Sequence, residues 1–160
     1  MNYAGVMLIV KDGYILSISR RINKNIFGFP GGKFSPDAPD SDKDTKDTAI
    51  RETREETSVI VKDCTLIYER LEPRHAPEGV DHYSRCYYAT DWEGEPTDSE
   101  EGQVKWLTVE EITETMAAFK EYNKNTLKVF REMFPDVYLQ ETRPVDMGAL
   151  PTFDDTLDCK

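Results

Sequence analysis

The sequence predicts an α+β domain in which a mixed β-sheet is sandwiched between α-helices. Three observations carry that expectation. The apolar stretches up to Leu107 are short and bounded by turn residues, as strands are. One carboxylate-rich helix follows the first hairpin, and a second helical pattern closes the folded part of the chain near Phe134. With 160 residues this is one domain, large enough for a real core, expected over residues 1–134 with a C-terminal arm over 135–160.

The elements follow in order. Tyr3 to Val10 is apolar and runs into Lys11-Asp12-Gly13, and Tyr14 to Ser19 returns from it, so that Asp-Gly supplies a hairpin turn. Arg20 and Arg21 close the return strand. A polar connector, Ile22 to Ile26, leads to Phe27-Gly28-Phe29 and the tight Pro30-Gly31-Gly32 turn, whose glycines let backbone pass close to a ligand. Ser35 to Asp44, rich in Asp, Pro and Ser, is expected as a surface loop. Asp44 or Thr45 caps the first helix, with Asp47 favourable in its first turn. Val59 to Val61 and Leu66 to Tyr68 are strand-like, interrupted by Lys62-Asp63, and Leu71 to Asp81 is a loop. His82 to Thr90 is a further strand with alternating aromatics, and His75 and His82 are expected as ordinary loop and strand histidines. Thr108 caps a new helix. Met116, Phe119, Leu127, Phe130 and Phe134 are spaced as the packed face of a C-terminal helix, broken near Asn123. Gln140 to Lys160 reads as a flexible arm or a strap over a partner subunit, which leaves a homodimer open.

Charge limits the partners. The chain carries 31 acidic against 20 basic side chains, a net charge of −11, which disfavours nucleic-acid polymers and anionic membranes. An anionic small molecule then needs a local device, a metal or a few placed arginines. Three cysteines, Cys64, Cys86 and Cys159, show no CxxC spacing, so neither a disulfide framework nor a zinc site is suggested. The start lacks a signal-peptide pattern and no stretch reaches the length of a membrane span, so a cytoplasmic protein is expected.

The chemistry concentrates in Arg51-Glu52-Thr53-Arg54-Glu55-Glu56-Thr57. At about 100° per residue, Glu52, Glu55 and Glu56 fall within an arc of about 100° on one face of a helix. Ala49, Ile50, Thr53 and Thr57 fill the neighbouring arc and can pack against a core. Carboxylates that close repel one another where water is partly excluded, and a cation resolves the conflict. With only oxygen ligands, a hard ion, Mg²⁺ or Mn²⁺, is the expected guest. Arg51 and Glu55 lie at i and i+4 and can pair, orienting that carboxylate. A solvated charged face is the plain alternative, and the FPGGK turn just upstream weighs against it.

These segments resemble the Nudix hydrolase family. Arg51 to Val59 matches the second half of its box, Arg-Glu-apolar-any-Glu-Glu-any-Gly-apolar, with Thr53 at the aliphatic position and Ser58 at the final Gly. The box spans about 31–59, and the loop before its helix carries five extra residues, placed at about 35–44. Lys43 stands where the first box Glu belongs, with Asp42 and Asp44 beside it. Trp92-Glu93-Gly94-Glu95-Pro96 and Glu101-Gly102-Gln103 resemble a second stretch of MutT-type members. The resemblance implies an α/β/α fold and a metal site of Glu52, Glu55, Glu56 and Glu101, with a backbone carbonyl of Gly31 or Gly32; Glu100 rivals Glu101. It makes Glu52 a ligand or the general base and places Glu55 and Arg51 in the catalytic group. Nucleotide contacts fall on Arg21, Gly31, Gly32 and Asn123, and Phe27, Phe29, Tyr83 and Tyr87 are candidates for stacking on a base. The activity implied is Mg²⁺-dependent hydrolysis of a nucleoside diphosphate linked to X. A nucleoside triphosphate yielding monophosphate and pyrophosphate is favoured over ADP-ribose, dinucleoside polyphosphates or a signalling nucleotide. A non-catalytic nucleotide sensor and an acidic interaction module are the alternatives from other classes.

Overall fold

The computed structural model describes residues 2–35, 43–72 and 81–144. Most of the inserted loop, His75, Cys159 and the end of the expected arm lie outside the described residues.

A four-stranded mixed sheet forms the centre, in the order β5-β1-β7-β6, from β1 (Asn2–Leu8), β5 (Gly31–Phe34), β6 (Ile60–Glu72) and β7 (His82–Glu93). β1 runs parallel to β7 and antiparallel to β5. A smaller sheet holds β2 (Val10–Lys11), β3 (Tyr14–Ser19) and β4 (Phe27–Gly28), with β8 (Val104–Leu107) on β3. Helix α1 (Thr45–Thr57) covers one face of the main sheet and α2 (Lys120–Met133) the other. The expected layering is therefore present, with a second sheet added.

That second sheet begins inside the first apolar run. Asn2–Leu8 joins the main sheet, whereas Val10–Lys11 pairs with β3 through a turn in which Asp12 (φ 53°) and Gly13 (φ 87°) are both left-handed. Two positive φ values define the turn type that Asp-Gly favours. Lys62-Asp63 does not divide a strand in two. It is a bulged stretch of one long strand, with register shifts between Val61, Asp63 and Cys64.

The core divides accordingly. Met7, Leu16, Ala49, Val59 and Tyr87 pack beneath α1, and Leu8, Phe27, Leu107, Leu127 and Phe130 beneath α2. The inner face of α1 is largely threonine: Thr45, Thr48, Thr53 and Thr57 are all buried. Thr57 Oγ1 donates to the Thr53 carbonyl and the Thr45 hydroxyl meets that of Tyr87 at 2.8 Å, so most of these hydroxyls are satisfied locally. Asp44 caps the helix by accepting from the Asp47 N–H. Ser58 ends it in a left-handed conformation (φ 72°), where glycine would fit without steric cost.

The second helical region departs from expectation. Thr108 and Glu111 form a reciprocal capping pair, Oγ1 of Thr108 accepting the Glu111 N–H and the Glu111 carboxylate accepting the Thr108 N–H. A short π-helical turn follows, Glu111–Thr115, and the chain then breaks at Met116–Phe119, not near Asn123. The cause is a pair of backbone bonds to β4, Phe27 N–H to the Met116 carbonyl and Ala118 N–H to the Phe27 carbonyl. From Pro135 to Pro144, where the described residues end, the chain packs on this domain: Leu139 is buried, Gln140 donates its N–H to the Gly13 carbonyl, and Arg143 pairs with Glu111.

Candidate active site

Every expected acidic residue of α1 arrives at one place because backbone brings it there. Gly5 of β1 lies directly under α1, and Gly31 and Gly32 lie alongside. The Glu56 carboxylate accepts the Gly31 N–H at 3.0 Å, and a Cβ on Gly32 would fall 2.5 Å from Cδ of Glu52. The double glycine is what allows the turn to sit against the carboxylates.

Glu101 comes from another part of the chain. Gly102 packs so tightly on the end of β3 that a Cβ there would meet the Ser19 carbonyl at 2.6 Å. Ser19 and Gln103 exchange two hydrogen bonds, while Thr97 donates its N–H to the Thr57 carbonyl at the end of α1. Held at both ends, this loop sets Glu101 opposite the helix. Carboxylate oxygens of Glu52, Glu55 and Glu101 lie within 4.8 Å of one another. Arg51 lies between two of them, 2.9 Å from Glu55 and 3.4 Å from Glu52. Arg21 stands 3.9 Å from Glu101.

Burial pushes the Glu56 carboxyl up to about 8, against the stabilising Gly31 N–H and reinforced by the charges of Glu52, Glu101 and Glu55. Burial also raises Glu52, with Arg51 opposing and Glu101 and Glu55 adding to it. Even with Arg51 between two of them the carboxylates outnumber the cations, and the donors are all carboxylate oxygens, which suits a hard divalent cation.

A carboxyl raised from about 4.5 to about 8 leaves the folded chain holding one more proton than the unfolded chain between those values. The melting temperature of metal-free protein is therefore expected to fall as pH rises from about 4.5 through 8. Added Mg²⁺ reverses the trend, since the ion binds the ionised form. Thermal scans in chelator and in Mg²⁺ across that range check both signs.

Beside the cluster opens a cleft of about 280 Å³, lined by Arg20, Arg21, Phe29, Gly31, Glu56 and Glu101, and by Ile22 and Phe119 at its outer end. Of the residues expected to contact the nucleotide, Arg21, Phe29 and Gly31 line this cleft. Asn123 does not. It is buried, and its side-chain amide donates to the Ile112 and Ala118 carbonyls, both at 2.8 Å. Phe27 and Tyr87 are core residues, and Tyr83 packs edge-on against Tyr3. Sequence reasoning missed Arg20, Ile22 and Phe119. Phe119 fits the apolar spacing of a packed helix, so nothing in the sequence marks it as exposed.

The cleft and the carboxylate cluster lie together where the double-glycine turn meets α1. The model of the NUDIX domain matches residues 1–130, and the chain belongs to that family, as a Nudix hydrolase with pyrophosphohydrolase chemistry. No curated protein matches the sequence. Solved structures share the fold at low identity. The E. coli ORF135 protein aligns at 21% identity with a TM-score of 0.66, over 91% of this chain and 95% of its own. A MutT NUDIX hydrolase from Burkholderia pseudomallei aligns at 22% and 0.61, over 79% and 97%. An ADP compounds hydrolase aligns at 18% and 0.61, over 84% and 73%. Among the described residues no helix is long and apolar enough to cross a membrane.

Proposed function

We propose that the protein hydrolyses a phosphoanhydride in a nucleoside diphosphate linked to X, with Mg²⁺ or Mn²⁺ as cofactor, and that a nucleoside triphosphate going to monophosphate and pyrophosphate is the first substrate to try. One observation carries this reading: the meeting of Glu52, Glu55 and Glu101 within 4.8 Å, from two distant segments, at the mouth of a cleft that also presents Arg21.

Glu55, Glu56 and Glu101 are the proposed ligands, with the Gly31 turn closing the site. When bound, the ion neutralises phosphate oxygens and lowers the pKa of water. The chain does the rest. Arg21 offers a guanidinium to the phosphates, and Arg51 holds Glu55 and Glu52 in fixed orientation. Glu52, whose proton affinity is raised by burial, is the proposed general base taking the proton of the attacking water. Phe29 forms part of the cleft wall.

A panel of nucleoside triphosphates, ADP-ribose and dinucleoside polyphosphates, incubated with Mg²⁺ and resolved by mass, tests the reading. Monophosphate and pyrophosphate from triphosphates is the expected result, abolished by chelator and restored by Mg²⁺. AMP and ribose 5-phosphate from ADP-ribose alone would move the assignment to that substrate, and no product from any of them would overturn it.

A further inference from the structure

The first N–H groups of a helical turn have no partner inside it. In the turn that starts at Thr108 they are satisfied from outside: Val109 and Glu110 donate theirs to the carbonyls of Gln140 and Glu141, and Glu111 donates to the Thr108 hydroxyl. The segment supplying those carbonyls is itself fastened. Gln140 N–H bonds the Gly13 carbonyl, Leu139 is buried, and Glu141 pairs with Arg131 of α2. Arg143 completes the attachment. Its guanidinium grips the Glu111 carboxylate as a two-point fork, Nε to Oε2 at 3.1 Å and Nη2 to Oε1 at 2.8 Å, and also donates to the Trp106 carbonyl at 3.0 Å. Exposed ion pairs hold little, but the Glu111 side chain is only 16% exposed.

Glu111 passes this anchorage on through backbone. Its carbonyl accepts the Met116 N–H, the Met116 carbonyl accepts the Phe27 N–H, and the Phe27 carbonyl accepts the Ala118 N–H. Gly28 and Phe29, next after Phe27, and Phe119, next after Ala118, line the cleft. On its far side the turn borders a hollow of about 320 Å³ lined by Lys105, Trp106, Leu107, Glu111, Met116 and Arg143. There the fork spans open space, so packing does not replace it. We propose that residues 139–143 brace the cleft wall and that Arg143 is a positioning residue of the reaction, acting through Glu111 on the Met116 and Phe27 segments. This rests on the cleft being the nucleotide site. The brace lies beyond residue 130, where the match to the family model ends.

Arg143→Met keeps an aliphatic stem against the Tyr14 ring and removes the fork. Glu111→Gln keeps an oxygen for the Thr108 N–H and loses the charge. Each is expected to raise KM for the hydrolysed nucleotide about threefold or more, measured well below the melting temperature. The change in kcat stays under about threefold, because the carboxylates rest on α1 and Gly102, which the brace does not touch. The double variant is expected to match the larger single effect, since both substitutions remove one contact. Amide exchange followed by NMR should quicken at Phe27 and Ala118 in Arg143→Met and stay at the parent rate in the central strand β7. A smaller rise in KM, effects that multiply in the double variant, or parent exchange at Phe27 and Ala118 overturns the proposal. A strap that only adds stability would lower the melting temperature and leave KM as in the parent. Failure of the hydrolase reading shows differently, as no product from the unmodified protein, and the exchange rates still test the brace because they are read without turnover.

Discussion

Glu56→Gln is expected to lower Mg²⁺-dependent turnover on the order of 10³-fold, about 4 kcal/mol of barrier, while raising the melting temperature of metal-free protein above pH 8. The two effects have one cause. Glutamine keeps the shape of the side chain and an oxygen to accept the Gly31 N–H, and removes the charge. In the parent the ionised carboxylate is buried among Glu52, Glu55 and Glu101, so its pKa near 8 records how unwelcome that charge is without a counter-ion. Above pH 8 the parent carries the cost of the charge and the variant does not. Below about pH 4.5 both side chains are neutral and the melting temperatures converge. Activity in Mg²⁺ together with thermal scans in chelator decides the matter. A variant that turns over at near-parent rate, or melts lower at pH 9, would show that Glu56 is only a packing residue.

Gly5→Ala is expected to be the most damaging methyl in the chain. The added Cβ would stand 2.0 Å from the Thr45 carbonyl oxygen and 3.0 Å from the Ala49 nitrogen, both backbone atoms of α1. Backbone cannot swing aside as a side-chain tip can, so the helix must retreat by about 1 Å. Overpacking of this kind costs about 3 kcal/mol or more, a fall of about 10 °C for a chain of this size. Displacing a catalytic constellation by about 1 Å also costs about 10²-fold in rate. Differential scanning calorimetry and kcat measured well below the new melting point separate the two losses. An unaltered melting temperature would mean that α1 does not rest on β1 as described.

How much of this was legible depends on whether the signal was local. The Asp12-Gly13 turn, a helix cap at Asp44 or Thr45 and a cap at Thr108 depend only on neighbours within four residues; the turn is present, and Asp44 and Thr108 are the caps. The carboxylate face of α1 follows from helical geometry alone. The strand from Ile60 to Glu72 was read as two, because Lys62-Asp63 looks like a break, and only pairing with β7 makes it a bulge. Asn is common at helix breaks and points to one near Asn123, but the bonds to Phe27 put the break at Met116–Phe119.

Spacing along a few residues is enough to dictate a helix that presents three glutamates on one face downstream of a double-glycine turn. Tertiary structure decided which carboxylates meet: Glu101 joins Glu52 and Glu55 only because Gly102 packs on Ser19 and Thr97 bonds to the end of α1. It also decided that Phe119 faces the cleft and Asn123 the interior. Apolar spacing cannot separate a ring that fills a core from one left at the edge of a cleft, since both repeat with the helix; the difference lies in what the rest of the chain leaves uncovered.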